Sequence, residues 1–146
     1  MMDKYAFLRL QKSVYVKLFQ RLQNPDIQEK VGKFLLKYIL IETLYKKLLA
    51  AKKEAEYGRK LSKKELNSLT VQASEVCRVL DFFGMTYDKN LVRRVFGYED
   101  DSFNTCTIKK LRNRLVHGIS SAGVDAVIER YDSLNSDLDT FIEIFG

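Results

Sequence analysis

The stretch NPDIQEKVGKFLLKYILIETLYKKLLAAKKEAEYG, residues 24–58, decides the fold because it carries one helical pattern along its whole length. Its apolar residues recur at steps of three and four, the period of a helix that buries one face. Asn24 is a suitable N-cap, Pro25 suits the first helical position, and Gly58 is a natural end. We therefore predict one long helix over about 27–57.

The same period predicts four more helices, over residues 3–23, 62–83, 105–117 and 124–145. Ser62-Lys63-Lys64-Glu65 has the S-x-x-E form of a capping box, which marks a helix start. The stretch TYDKNLVRRVFG is predicted to be a short helix or turn that ends at Gly97. One proline, seven glycines and few apolar–polar alternations argue against a strand-and-turn fold. We predict an all-α bundle of about five helices.

The composition predicts a single domain that spans residues 1–146, since 46% of the residues are apolar and no linker divides the chain. Cys77 and Cys106 form no CxxC pattern, so free thiols and a reduced, cytoplasmic protein are expected. The start MMDKYAFLRLQKS has no uninterrupted apolar core, which argues against a signal peptide. Charged residues interrupt the most apolar run, so neither a membrane span nor a membrane partner is expected.

Charge is distributed unevenly along the chain, whose formal net charge is +6. Residues 1–97 contain 20 Lys and Arg against 10 acidic residues, whereas residues 119–146 contain one Arg against six acidic residues. A basic body suits a polyanionic partner such as nucleic acid or an anionic surface. The alternative is ordinary solubilising charge on helix faces, and basic pairs such as Arg93-Arg94 fit either interpretation.

The densest basic stretch, KKLRNRLVHG at residues 109–118, contains the only histidine of the chain. A glycine follows His117, which places the imidazole on the last helical turn, where backbone carbonyls favour a cation. Asn113 and Arg114 lie near it on the helix surface, and the long Arg112 side chain reaches toward the same ligand. One guanidinium group can bind two phosphate oxygens at once, and an imidazole can transfer a proton near neutral pH. This pattern predicts a phosphate site; the alternative is a packed or solvated histidine.

The segment from Arg112 to His117, RNRLVH, resembles the R-x4-H signature of the HEPN superfamily, in its common form with Asn after the Arg. An all-helical domain with the motif late in the chain and one long helix after it is also similar to that family. The resemblance implies an HEPN-like fold and a metal-independent endoribonuclease without cofactors. It also implies a homodimer whose two motifs face each other, and a toxin or phage-defence role with an antitoxin or regulatory protein as a further partner.

The resemblance also implies roles for the motif residues. Arg112 would stabilise the phosphate charge in the transition state, and His117 would act as general base or acid on the 2′-hydroxyl or the leaving oxygen. Asn113 would orient the imidazole or the phosphate. The cations on the same helix are predicted to bind the RNA substrate: Arg114, Lys109 and Lys110.

The single histidine itself predicts a dimer. Attack by a 2′-hydroxyl benefits from both a base and an acid. If imidazoles fill both roles, the second imidazole must come from another subunit, because the chain has one histidine. A two-fold symmetric dimer supplies this second imidazole. If Glu42 or a lysine served as the second acid–base group, no second histidine would be needed. Glu42 lies in the apolar stretch YILIETLY. Its functional interpretation is an acid that pairs with Arg112 or Arg114, or that orients His117. The preferred interpretation is an acid at the edge of the polar side of its helix.

The sequence lacks the residue patterns of other catalytic sites, such as nucleophile pairs, metal sites and phosphate-binding loops. Cys106 and His117 lie about 16 Å apart along one helix, too far for a nucleophile pair. Neither metal-ligand spacings nor Gly-rich phosphate loops occur. Ile119 stands where the HEPN branch paired with nucleotidyltransferase antitoxins usually has a tyrosine, so the resemblance does not extend to that branch. Two alternatives to a ribonuclease stay open: a non-catalytic RNA-, nucleotide- or protein-binding module, and a structural bundle whose motif is coincidental.

Overall fold

The structure is a computed structural model that describes residues 3–98 and 100–146. These residues form eight α-helices and no strand, so the all-α prediction is confirmed while the predicted number of about five helices is wrong. The helices are α1 (Lys4–Leu22), α2 (Pro25–Tyr57), α3 (Lys63–Asn67), α4 (Ala73–Phe82), α5 (Lys89–Phe96), α6 (Ile108–His117), α7 (Ser121–Glu129) and α8 (Tyr131–Ile144).

The long helix α2 is the centre of the fold, and α1, α4, α6, α7 and α8 all pack against it. The Asn24 side chain accepts hydrogen bonds from the first backbone N–H groups, Pro25 occupies the first turn, and Gly58 adopts a left-handed φ of 66° at the end. Its buried positions recur at helical spacing and join one contiguous core: Val31, Phe34, Tyr38, Ile41, Tyr45 and Leu49. The predicted caps and period of this helix are confirmed.

Aromatic rings fix the packing of α5 and α8 onto α2. The Phe96 ring centroid lies 6.0 Å from those of Tyr38 and Tyr45 and 5.4 Å from that of Phe141. All four side chains are buried. Tilted and edge-on ring pairs of this kind add about 0.5–1.5 kcal/mol each beyond the burial of their area. The core therefore holds α5 beside α6.

The helix predicted over 62–83 is interrupted, which corrects the sequence interpretation. The capping box is present, since the Ser62 side chain accepts from the Glu65 N–H at 3.1 Å and Glu65 accepts from the Ser62 N–H at 3.0 Å. Arg59 donates two hydrogen bonds to Glu65, which with the capping bond lower the pKa of that carboxyl to about 2. The chain then leaves the helix over 68–72, where Val71 is buried and its carbonyl accepts from Lys109.

The helix predicted over 124–145 is also interrupted, at Arg130. The Arg130 guanidinium donates to the Phe103 carbonyl at 2.9 Å, a contact between residues far apart in sequence. The break divides the segment into α7, which packs on α6, and α8, which packs on α5. One straight helix would follow a single direction, so the turn at Arg130 lets the chain cover both neighbours.

Most residues of helix α1 are exposed. Leu18 is its only buried residue, and Arg21 forms an ion pair with Asp125 of α7 near its end. The apolar residues that carry its helical period toward the N-terminus, Phe7, Leu10 and Val14, are exposed. Its period therefore marks an apolar face that the described residues of the chain leave uncovered. Within the described ranges, no helix combines the length and the apolar character that crossing a membrane requires.

Candidate functional site

Helix α6 presents the basic motif on its outer side. Thr107 caps its start by accepting from the Lys110 N–H, and Ile108, Leu111 and Leu115 are buried. Val116, on the same helix, is 52% exposed, because its position turns away from the core. The helix ends at His117, and the Gly118 N–H bonds back to the Arg114 carbonyl.

His117 is open to solvent at the last turn of α6. Two apolar side chains beside it are exposed as well, Val116 and, at 37%, Ile119. The carbonyl end of the helix favours a positive charge at this position. The imidazole is therefore placed where it can meet a ligand or a second protein surface.

A cavity of about 950 Å³, which we call the main cavity, opens between α4, α5 and α6. The structure brings five of the six predicted site residues to its wall, and Arg112 is the exception. The five are Lys109, Lys110, Asn113, Arg114 and His117. Four cations or protonatable groups and one amide thus share one opening, which suits an anionic ligand.

Arg112 lines a second, smaller depression of about 360 Å³ beside α2. Its Nη1 donates to Asn113 Oδ1 at 3.0 Å, and its Cζ lies 5.5 Å from the centroid of the Tyr38 ring. Among the described residues, its buried Nε has no hydrogen-bond partner. Asn113 and Lys109 line both openings. Arg112 and His117 therefore line different openings of the chain, whereas Asn113 lines both.

Tyr38 supports the Arg112 guanidinium from the core. Burial raises the pKa of its hydroxyl, the nearby Glu42 raises it further, and Arg112 acts in the opposite direction. The ring therefore remains neutral at physiological pH, and its contact with Arg112 is a cation–π interaction rather than an ion pair. Glu42 lines the same depression, but its ion pair is with Lys46 at 2.9 Å, one turn along α2.

The acidic loop before α6 contacts the cations of the main cavity. Arg114 Nη1 donates to the Asp101 carbonyl oxygen at 2.7 Å, and its Cζ lies 4.6 Å from the Phe103 ring centroid. The Asp101 carboxylate lies 3.8 Å from Lys110 Nζ and 4.0 Å from Arg114 Nη2. Because this carboxylate is fully exposed, its ion pairs are weak and a phosphate can displace it.

The main cavity also includes residues that sequence reasoning did not assign to a site: Gln72, Ala73, Cys77, Val92, Phe96 and Tyr98. They come from α4, α5 and the segments beside them, and no spacing pattern links them to the motif on α6. Arg93, noted in the sequence only as one of a basic pair, lines the cavity too. Its neighbour Arg94 pairs with Asp137 at 3.0 Å.

Both cysteines are free, as predicted, but their surroundings differ. Cys106 is buried at 1% exposure, whereas Cys77 is half-buried at the main cavity. In residues 3–98 and 100–146, no three His, Cys, Asp or Glu side chains form a group that suits a metal ion.

Comparison of the chain with protein-family models, with curated proteins and with solved structures finds no match.

Proposed function

We propose that the protein is a metal-independent endoribonuclease of the HEPN type, with a composite active site on a homodimer interface. The observation that carries the proposal is the exposed His117, on the wall of a cavity that also holds Lys109, Lys110 and Arg114. Cations attract and position the RNA backbone, and imidazole is the side chain best suited to proton transfer near neutral pH. A toxin or phage-defence role, with an antitoxin or regulatory partner, belongs to the same proposal.

The proposed reaction is an attack of the ribose 2′-oxygen on the adjacent phosphorus. The phosphorus–O5′ bond breaks, which leaves a 2′,3′-cyclic phosphate on one fragment and a 5′-hydroxyl on the other. One His117 takes the proton of the 2′-hydroxyl, and the second copy of His117 donates a proton to the departing O5′. Arg112 stabilises the charge on the phosphate oxygens. Asn113, whose Oδ1 accepts a hydrogen bond from Arg112, positions that guanidinium toward the phosphate between the two imidazoles.

Exposed apolar residues support the homodimer. Val116 and Ile119 lie beside His117, so a protein contact there would adjoin the catalytic imidazole. On α2, Leu36, Ile39 and Leu40 are exposed at helical spacing, and the helical register places this stripe next to Glu42 and Lys46 of the Arg112 depression. Contiguous exposed apolar faces mark protein contacts. We expect a second copy of the chain to cover them.

One observation favours the alternative, a non-catalytic module that binds RNA or a nucleotide or presents a face to a partner protein. Arg112 and His117 face separate openings in one subunit, and Arg112 is held by Asn113 and the Tyr38 ring. Binding requires only the cations of the main cavity, whereas catalysis requires both side chains at one phosphate.

Incubation of the protein with mixed RNA in EDTA tests the proposed reaction. We expect fragments that end in 2′,3′-cyclic phosphate and begin with 5′-hydroxyl, which end-specific phosphatase and kinase treatments identify. Intact RNA would favour the binding module. Fragments that form only when a divalent metal is restored would contradict a metal-independent reaction.

Removal of the Asp101 charge is expected to strengthen RNA binding. In Asp101→Asn, Arg114 and Lys110 lose a competing carboxylate, so affinity should rise about two- to fivefold at low salt. Fluorescence polarisation with a labelled RNA, in a His117→Ala background, measures this. Asp100→Asn is the matched control, because it removes the same charge from a residue that bonds to Ser102 instead. Equal effects of the two substitutions would contradict a specific role for Asp101.

A further inference from the structure

Helix α1 exposes one side that is rich in aromatic rings. Five of its residues recur at steps of three and four along this side, which we call the aromatic face: Tyr5, Leu8, Lys12, Tyr15 and Phe19. The four apolar side chains among them are between 50% and 68% exposed. Leu18, the one buried residue of α1, lies about 100° around the helix from Phe19. The packing of α1 within the described part of the chain therefore leaves the aromatic face in solvent.

Large apolar side chains also occupy a second side of α1. Phe7, Leu10 and Val14 lie there and are between 48% and 64% exposed. The remaining side is a polar stripe, spaced again by three and four: Arg9, Ser13, Lys17 and Gln20. A surface helix of a globular protein normally buries its apolar side, and a helix that is apolar over most of its circumference belongs in a core or a membrane. Helix α1 therefore needs a cover beyond the described residues.

The charge of α1 indicates the chemistry of this cover. Residues 4–22 contain five Lys and Arg and no acidic residue. Arg21 forms an ion pair with Asp125, and the other four cations form no ion pair within residues 3–98 and 100–146. Cations on a helix that also exposes aromatic and aliphatic side chains are typical of helices that lie in the interface of an anionic lipid bilayer.

Two other covers match only part of this surface. A second copy of α1 paired along the aromatic face would bring Lys12, in the middle of that face, against a lysine of the same charge, and residues 4–22 hold no carboxylate to offset it. RNA would bind the cations and stack on the rings, but it would leave Leu8, Leu10 and Val14 in water. A bilayer suits both groups, because its headgroup phosphates bind the cations and its acyl chains receive the apolar side chains.

We propose that α1 binds the surface of an anionic lipid bilayer, with its aromatic face inserted and its polar stripe among the headgroups. The expectation that the chain has no membrane partner rested on the charges that interrupt its most apolar run. A helix that lies in the interface requires no such run. The residues proposed for RNA cleavage lie on α6, so this inference is independent of the proposed function.

A single tryptophan tests the insertion, because the chain contains none. In Phe19→Trp, vesicles of phosphatidylglycerol and phosphatidylcholine should shift the emission to shorter wavelength, and brominated acyl chains should quench it. Vesicles of phosphatidylcholine alone should cause neither change. Tyr57→Trp, at an exposed position on the last residue of α2, is the matched control and should respond to neither kind of vesicle. Emission of Phe19→Trp that anionic vesicles neither shift nor quench would overturn the proposal.

Two matched pairs of substitutions test the charge and the apolar contact separately. Lys12→Glu should weaken cosedimentation with anionic vesicles about tenfold or more, whereas Lys63→Glu, which reverses an exposed charge on α3, should change it little. Leu8→Ala should weaken it about tenfold, because apolar surface leaves the acyl region. Leu66→Ala, which truncates an exposed leucine of α3, is its control. Equal effects within either pair would contradict binding through the aromatic face.

The other two covers give different results in the same variants. If brominated lipid does not quench Phe19→Trp and Lys12→Glu lowers the affinity for a labelled RNA, the aromatic face binds RNA. If lipid does not quench and Leu8→Ala dissociates a dimer in dilute solution, the face binds a second copy of the chain. Either result overturns bilayer binding. RNA cleavage in EDTA, which tests the ribonuclease, is measured without vesicles, so the two proposals fail separately.

Discussion

His117→Ala is expected to reduce RNA cleavage by about 10²- to 10⁴-fold, the usual contribution of a general acid–base group. The imidazole is exposed on the last turn of α6, so its removal leaves the core of the protein intact. Substitutions at such positions usually change the free energy of unfolding by less than about 0.5 kcal/mol. The rate of fragment formation in EDTA, the thermal unfolding midpoint and the RNA affinity are measured on the same preparation.

The pattern across these three measurements identifies the role of His117. A catalytic imidazole predicts lost cleavage with an unchanged unfolding midpoint and nearly unchanged RNA affinity. Arg78→Ala, which truncates an exposed cation of α4, is the control and should cleave normally. A parallel loss of affinity in His117→Ala would instead favour the binding module. Cleavage by His117→Ala at the parental rate would show that the imidazole takes no part in the reaction.

The parts of the fold that the sequence predicted are those set by local interactions. The caps at Asn24, Ser62 and Gly58 involve residues within one turn of each other, and the helical period of α2 needs only the neighbours along one helix. The interruptions of the two predicted helices involve hydrogen bonds between residues far apart in sequence. Lys109 bonds to the Val71 carbonyl and Arg130 to the Phe103 carbonyl, and neither contact leaves a spacing signal.

The same distinction applies to the site. Five predicted residues meet at one cavity because they share one helix, so spacing along the helix was sufficient. The direction of Arg112 was not predictable from α6 alone, because it depends on the Tyr38 ring of α2. Val92 and Tyr98 were likewise not predictable, since only the packing of α5 against α6 brings them to the motif.

A heterodimer with one parental and one His117→Ala subunit is expected to lose cleavage activity by about a hundredfold or more, not by half. The chain has one histidine, so a site with an imidazole base and an imidazole acid needs both subunits. Loss of either imidazole then removes one of the two proton transfers from every reaction. Two affinity tags on co-expressed chains isolate the heterodimer, and its rate is compared with those of both homodimers.

Half of the parental activity would contradict the shared site. Each subunit would then hold a complete set of groups, and the second proton would have to come from a residue near His117 on the same chain. Lys109 and Lys110 line the cavity with His117, whereas Glu42 lies in the Arg112 depression and pairs with Lys46. A lysine would thus replace the second imidazole more readily than Glu42, and substitution of these two lysines in the heterodimer would then abolish the remaining half.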